Sequence, residues 1–134
     1  MGFARGDVVL LRRAGGQRHA ERAALIWRTD TEDTWFFLIS GVRSLDRSQR
    51  HRSEIDVPEF EGMALGLPMR LPVIYCDRQH KLVMGRLPTV HPAGRASQQL
   101  VQLVSRTWQR EVITRQMESR LSFRQQPVFL VAAA

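Results

Sequence analysis

Apolar residues along this chain fall in short runs separated by polar or glycine-bearing stretches, a spacing that suits strands better than long helices. The unbroken run Val8-Val9-Leu10-Leu11 predicts a buried strand over Asp7 to Leu11. Ala23 to Trp27 and Thr34 to Ile39 predict two more, the latter rich in aromatic and β-branched residues, and the polar stretch Thr29 to Asp33 joins them as a hairpin. Glu54 to Val57 alternates polar with apolar and stops at Pro58, as a short edge strand does. Met69 to Cys76 and Leu82 to Leu87 predict the remaining strands. Short strands so spaced predict a mainly β chain folded as a small, strongly bent barrel.

A single helix pattern follows Pro92 and Gly94. Ser97 is its predicted N-cap, and Leu100, Val104, Trp108 and Val112 recur every four residues, with Val101 and Ile113 widening the apolar stripe. Arg106, Arg110, Glu111, Arg115 and Glu118 fall on the other face and read as solvated surface. Residues 1–120 thus form one domain ending in a helix, followed by a tail over 121–134 whose segment Pro127 to Val131 suits either an added strand or a loose end. Ala14 to Ala20, with Gly15-Gly16, predicts a loop able to lie over a ligand. Arg43 to Arg52, polar and aperiodic, predicts a mobile loop. Trp27, Trp35 and Trp108 each sit in an apolar pattern and are expected in the core.

The 134 residues suffice for one core without metal or disulfide staples. No apolar run approaches the roughly 18 residues of a membrane span, and the N-terminal residues lack a leader pattern. The lone Cys76 lies in an apolar run and reads as a buried thiol, which fits a reducing cytoplasm. Charge changes the picture more. The net +7 arises from 19 arginines and one lysine against 13 acidic residues, and the planar guanidinium fork suits phosphate oxygens, so a nucleic acid or an acidic protein is the expected partner.

Several chemistries are excluded by pattern. The chain has no Walker loop, no dinucleotide glycine fingerprint and no His-Glu-x-x-His helix. Its four histidines stand apart and one cysteine supplies no zinc pair, so neither metal nor cofactor is expected. Leu38-Ile39-Ser40-Gly41 lacks the glycine two residues before the serine that a nucleophile elbow needs. Arginines, a hydroxyl, an acid and a tyrosine or histidine remain. Such a set suits RNA cleavage in which the 2′-hydroxyl attacks the adjacent phosphodiester, which requires proton removal, proton supply and stabilisation of phosphoryl charge.

Gly6-Asp7 opening a strand, Gly15-Gly16-Gln17, then Arg22-Ala23-Ala24-Leu25-Ile26, then Ile39-Ser40-Gly41, Val73-Ile74-Tyr75-Cys76-Asp77-Arg78 and Gly85-Arg86-Leu87 occur in this order. In that order and spacing the chain resembles the MazF/PemK family of ribonuclease toxins. The resemblance implies an SH3-like β-barrel with a C-terminal helix, a homodimer, an acidic antitoxin partner and sequence-selective cleavage of single-stranded RNA without metal. It implies that Arg22 contacts the scissile phosphate and aids proton transfer, that Ser40 bonds the same phosphate in place of the family's threonine, and that Asp77 orients the arginine or the nucleotide. Gln17, Arg18, His19, Tyr75 and Arg78 are the implied RNA contacts. The chain departs from the family at Ala23 for proline, Arg78 for glutamine, and Tyr75 for the arginine of some members. The rival readings are a barrel of the same class that binds a protein target in the manner of gyrase-directed toxins, and one that binds nucleic acid without cutting it.

Overall fold

The computed structural model describes residues 2–11, 22–30, 33–43, 46–82 and 90–125. The strands are β1 (Asp7–Leu11), β2 (Arg22–Thr29), β3 (Thr34–Gly41), β4 (Glu54–Asp56), β5 (Pro72–Leu82) and β6 (Val90–Arg95), with helices α1 (Glu59–Ala64) and α2 (Gln98–Gln125). They form one antiparallel sheet in the order β4-β5-β3-β2-β1-β6. The mainly β reading and the C-terminal helix hold. Among the described residues the sheet is open, with β4 and β6 as its edges. Register shifts at Val8/Val9, Ile26/Arg28 and Phe36/Leu38 are bulges, which bend the strands that carry them.

Both faces of the central strands are covered, which is why β2 reads as an unbroken apolar run. Ala23, Leu25 and Trp27 turn to one side, where they meet Phe37, Ile39, Ile74 and the α2 residues Leu100 and Val104. Ala24 and Ile26 turn to the other, with Val9, Phe36 and Leu82. Trp108 anchors the helix by packing edge-on to Phe37, ring centroids 5.3 Å apart, and Trp27 meets the same ring at 5.3 Å. Trp35 is only half-buried: the Arg28 guanidinium lies over its ring, and its indole Nε1 is buried without a hydrogen-bond partner. Cys76 is fully buried as expected, and burial together with neighbouring Asp77 pushes its thiol pKa up to about 12.

The expected cap is present, since the Leu100 amide donates to Ser97 Oγ at 3.2 Å. Ser97 in turn donates from both its amide and its hydroxyl to Glu61 of α1, which ties the two helices together. Four expectations need correction. Of the segment expected as a mobile loop, residues 46–52 hold a 3₁₀ turn at Arg47–Gln49 and are bound by ion pairs. Arg50 reaches Glu54 at 2.9 Å and Asp56 at 2.6 Å, and Arg52 reaches Glu111 at 2.9 Å. Those partners are set by the fold and leave no periodic trace. Glu111, expected on a solvated face, is 2% exposed and takes hydrogen bonds from Arg52 and Arg115. Helix α1 was not foreseen, because six residues give no period and its one buried residue is Gly62, whose bare backbone lies against Pro72. The break expected between the strand ending at Cys76 and the one starting at Leu82 is absent, because β5 runs on to Leu82.

Strand β6 was likewise hidden, since Pro92 and Gly94 read as breakers. An edge strand tolerates proline, and Gly94 sits at φ 145°, where a Cβ would also lie 3.1 Å from Leu65. Leu82 ends β5, and the remainder of the strand expected over Leu82 to Leu87 lies outside the described residues, as does the loop Ala14 to Ala20. Helix α2 continues through Leu121 to Gln125, where a tail was expected to have begun.

Candidate nucleic-acid interface

The sheet face turned away from α2 gathers most of the chemistry. Ala23 pairs with Ile39, and the register carried on by one residue sets Arg22 of β2 opposite Ser40 of β3. Opposite residues in an antiparallel pair share a face and stand roughly 5 Å apart at Cβ. The next strand continues the row: Ser40 pairs with Val73, Leu38 with Tyr75, and Phe36 with His80. Arg22, Ser40, Tyr75 and His80 therefore lie on one side of three adjacent strands, level with Ala24 and Ile26 and opposite Leu25. Between Tyr75 and His80 strand β5 carries the extra residues of the bulge, and these include Asp77 and Arg78. Arg22 and Arg78 are exposed, while Ser40, Asp77 and His80 are half-buried.

His80 lies on the same face, paired with Phe36. Its ring stacks on Phe36, centroids 5.4 Å apart and planes 25° from parallel. Partial burial, then the positive charges of Arg78 and Arg22, hold its pKa below the ordinary 6.5, against an opposing pull from Asp77. The neutral imidazole, able to accept a proton, is thus the form present at pH 7. Arginine cannot take that part, since its pKa exceeds about 12.

Tyr75 is placed differently from an RNA contact. It is 3% exposed, its hydroxyl donates to the Gly41 carbonyl at 2.8 Å, and the Arg43 guanidinium covers its ring at 4.2 Å. Burial pushes its pKa up, so it stays a neutral donor committed to the end of β3 beside Ser40. Arg43 is thereby set at the margin of the same face, a basic group that sequence reading did not single out.

Of the sequence-expected site residues, the strand register brings Arg22 and Ser40 to one face with Tyr75 buried beside them, and Asp77 and Arg78 lie in the neighbouring bulge of β5. Gln17, Arg18 and His19 lie outside the described residues. His80 was missed because it stands alone in the sequence, and its neighbours arrive from β2 and β3. Among the described residues no group of three or more His, Cys, Asp or Glu is set to hold a metal ion, and no described helix is long and apolar enough to cross a membrane.

No family model and no curated protein matches this sequence. Among solved structures the fold is similar to a chain from a complex described as an endoribonuclease with its cognate antitoxin from mycobacterial species. The TM-score is 0.57 at 11% identity, covering 83% of this chain and 95% of that one. At that identity the likeness is one of fold, and it agrees with the fold that the MazF/PemK resemblance implied.

Proposed function

We propose that this protein is a toxin endoribonuclease of the MazF/PemK kind, cutting single-stranded RNA on the sheet face opposite α2. The feature that carries the reading is the strand register, which when extended by one residue puts Arg22 opposite Ser40 on the face that also bears His80. The fold likeness to a chain from an endoribonuclease–antitoxin complex supports it.

In the proposed reaction Arg22 and the Ser40 hydroxyl donate hydrogen bonds to the non-bridging oxygens of one phosphate and offset the charge that builds there. His80 accepts the proton of the 2′-hydroxyl as that oxygen attacks phosphorus. The bond to the 5′-oxygen breaks, and that oxygen takes a proton from solvent while the His80 imidazolium returns its own proton to solvent, so the net proton count is unchanged. The products are a 2′,3′-cyclic phosphate and a free 5′-hydroxyl, so neither water nor a metal ion enters the balance. Asp77 orients Arg22 or the nucleotide, and Arg78 binds the strand. Selectivity for a short motif, a homodimer, an acidic antitoxin, growth inhibition and a cytoplasmic setting belong to the same reading.

The test is incubation of the purified protein with a long single-stranded RNA in the presence of chelator, with the cut positions mapped. Discrete cuts that vanish in Arg22→Ala, with folding retained, are expected. Tight, salt-sensitive RNA binding without cuts would leave a binding barrel, and neither binding nor cuts would leave a barrel aimed at a protein target.

A further inference from the structure

Arg43 follows the end of β3, three residues beyond Ser40, and is exposed. Its guanidinium lies 4.2 Å from the centre of the Tyr75 ring. That ring is itself fixed, because Tyr75 is 3% exposed and its hydroxyl donates to the Gly41 carbonyl at 2.8 Å. Tyr75 stands between Ile74 and Cys76, whose side chains join the core under α2, so it belongs to the opposite sheet face, the one that carries Ser40. Its cross-strand partner is Leu38, two residues before Ser40, while its hydroxyl reaches the residue after Ser40. The ring therefore runs alongside Ser40 on the β5 flank, and Arg22 lies on the other flank, on β2. No acid holds the Arg43 cation. Glu54, which pairs with Tyr75 across β4, is bound by Arg50 at 2.9 Å, and the same arginine binds Asp56 at 2.6 Å. Among the described residues Arg43 forms no ion pair, whereas Arg50, Arg52, Arg95 and Arg115 each do.

We propose that Arg43, seated on the Tyr75 ring, is the platform on which the base next to the scissile phosphate stacks. The inference rests on the RNA-cleavage reading of this face and adds to it the seat of a base. One side of the guanidinium is spent on the ring and the other faces solvent, and guanidinium planes stack on nucleobases. Such stacking accepts any base, so Arg43 fixes where the nucleotide lies and leaves its identity to other groups. A plain phosphate contact would need only the charge. The placement over a ring whose hydroxyl is already committed to Gly41 favours the stack.

The probe is a short labelled single-stranded RNA centred on a mapped cut site, with a 2′-deoxy residue at the cut so that fluorescence anisotropy reads binding alone. If nothing is cut, a mixed-sequence RNA that the protein binds takes its place. An abasic residue is then moved through the strand one position at a time. Wild type should lose roughly 10-fold in affinity when one particular base is missing. Arg43→Ala should bind the intact RNA about 10-fold more weakly and become indifferent to that abasic position, with circular dichroism as in wild type. Arg43→Lys should share this indifference while keeping the wild-type salt dependence, since it retains the charge and not the plane. An abasic penalty that persists in Arg43→Ala, or an Arg43→Lys variant that keeps both affinity and penalty, would overturn the proposal, the latter by making Arg43 a phosphate contact. RNA that is cut but shows no abasic penalty in wild type would remove the platform and leave the cleavage reading standing. Absence of any RNA affinity would remove both.

Discussion

His80 concentrates the chemistry at the scale of single residues. With its pKa held below 6.5 by burial and by Arg78 and Arg22, the imidazole stays neutral through the physiological range and takes up a proton only in more acidic solution. A general base of this kind gives a cleavage rate that falls on the acid side, with its midpoint below 6.5. In His80→Gln the rate should drop by about 100-fold or more, and that acid limb should disappear. A limb that survives in the variant would assign the proton to another group. Glu111 governs stability in a similar way. Burial alone would raise its pKa, but the hydrogen bonds from Arg52 and Arg115 outweigh that and hold it below the usual 4.5. Because its folded pKa is the lower one, the contribution is fully present above about pH 4.5 and is lost as the pH falls through the folded value. Glu111→Gln should cost about 1 to 2 kcal/mol at pH 7, the half-exposed arginines being screened. In denaturant titrations the gap to wild type should close below pH 4.5 and stay constant above it.

Elements were legible in the sequence where one feature repeats and hidden where the fold supplies the partner. Strands β1, β2 and β3 could be read because consecutive apolar side chains are buried on both faces of the sheet, and the start of α2 because its periodic apolar side chains meet one of those faces. Strand β6 could not, because Pro92 and Gly94 are signs of interruption that an edge strand with a glycine at φ 145° happens to accept. The continuation of β5 past Asp77 was masked for a related reason: its polar residues Asp77 to Lys81 resemble a turn until Phe36 and Trp35 are seen to pair with His80 and Lys81. The start of α2 offers a direct check on a predicted cap. Ser97→Ala removes both the bond from the Leu100 amide and the hydroxyl's bond to Glu61, so it should destabilise the protein by about 1 to 2 kcal/mol. Ser97→Asp keeps an acceptor for the Leu100 amide but sets a second carboxylate beside Glu61, so it should recover only part of that loss, as thermal melts would show.

At the scale of the whole molecule, the sheet carries different side chains on its two faces. One side is sealed by α2 and the main core, and the other carries Arg22, Ser40 and His80 beside a smaller buried cluster, with Asp77 and Arg78 in the adjoining bulge of β5. Four of those five residues were legible from motif order, namely the arginine, the serine and the Asp77-Arg78 pair. His80 and Arg43 were not, because charge proximity across strands has no counterpart in linear spacing. The net charge of +7 agrees with this layout, since Arg22 and Arg78 stand exposed at the proposed RNA face. The most direct measurement of the central claim is mass spectrometry of the ends left when the protein cuts a single-stranded RNA in chelator. The account predicts a 2′,3′-cyclic phosphate on one fragment and a free 5′-hydroxyl on the other, with a 2′-deoxy residue at the cut position blocking the reaction. A 5′-phosphate, or cutting that persists at the deoxy residue, would contradict it.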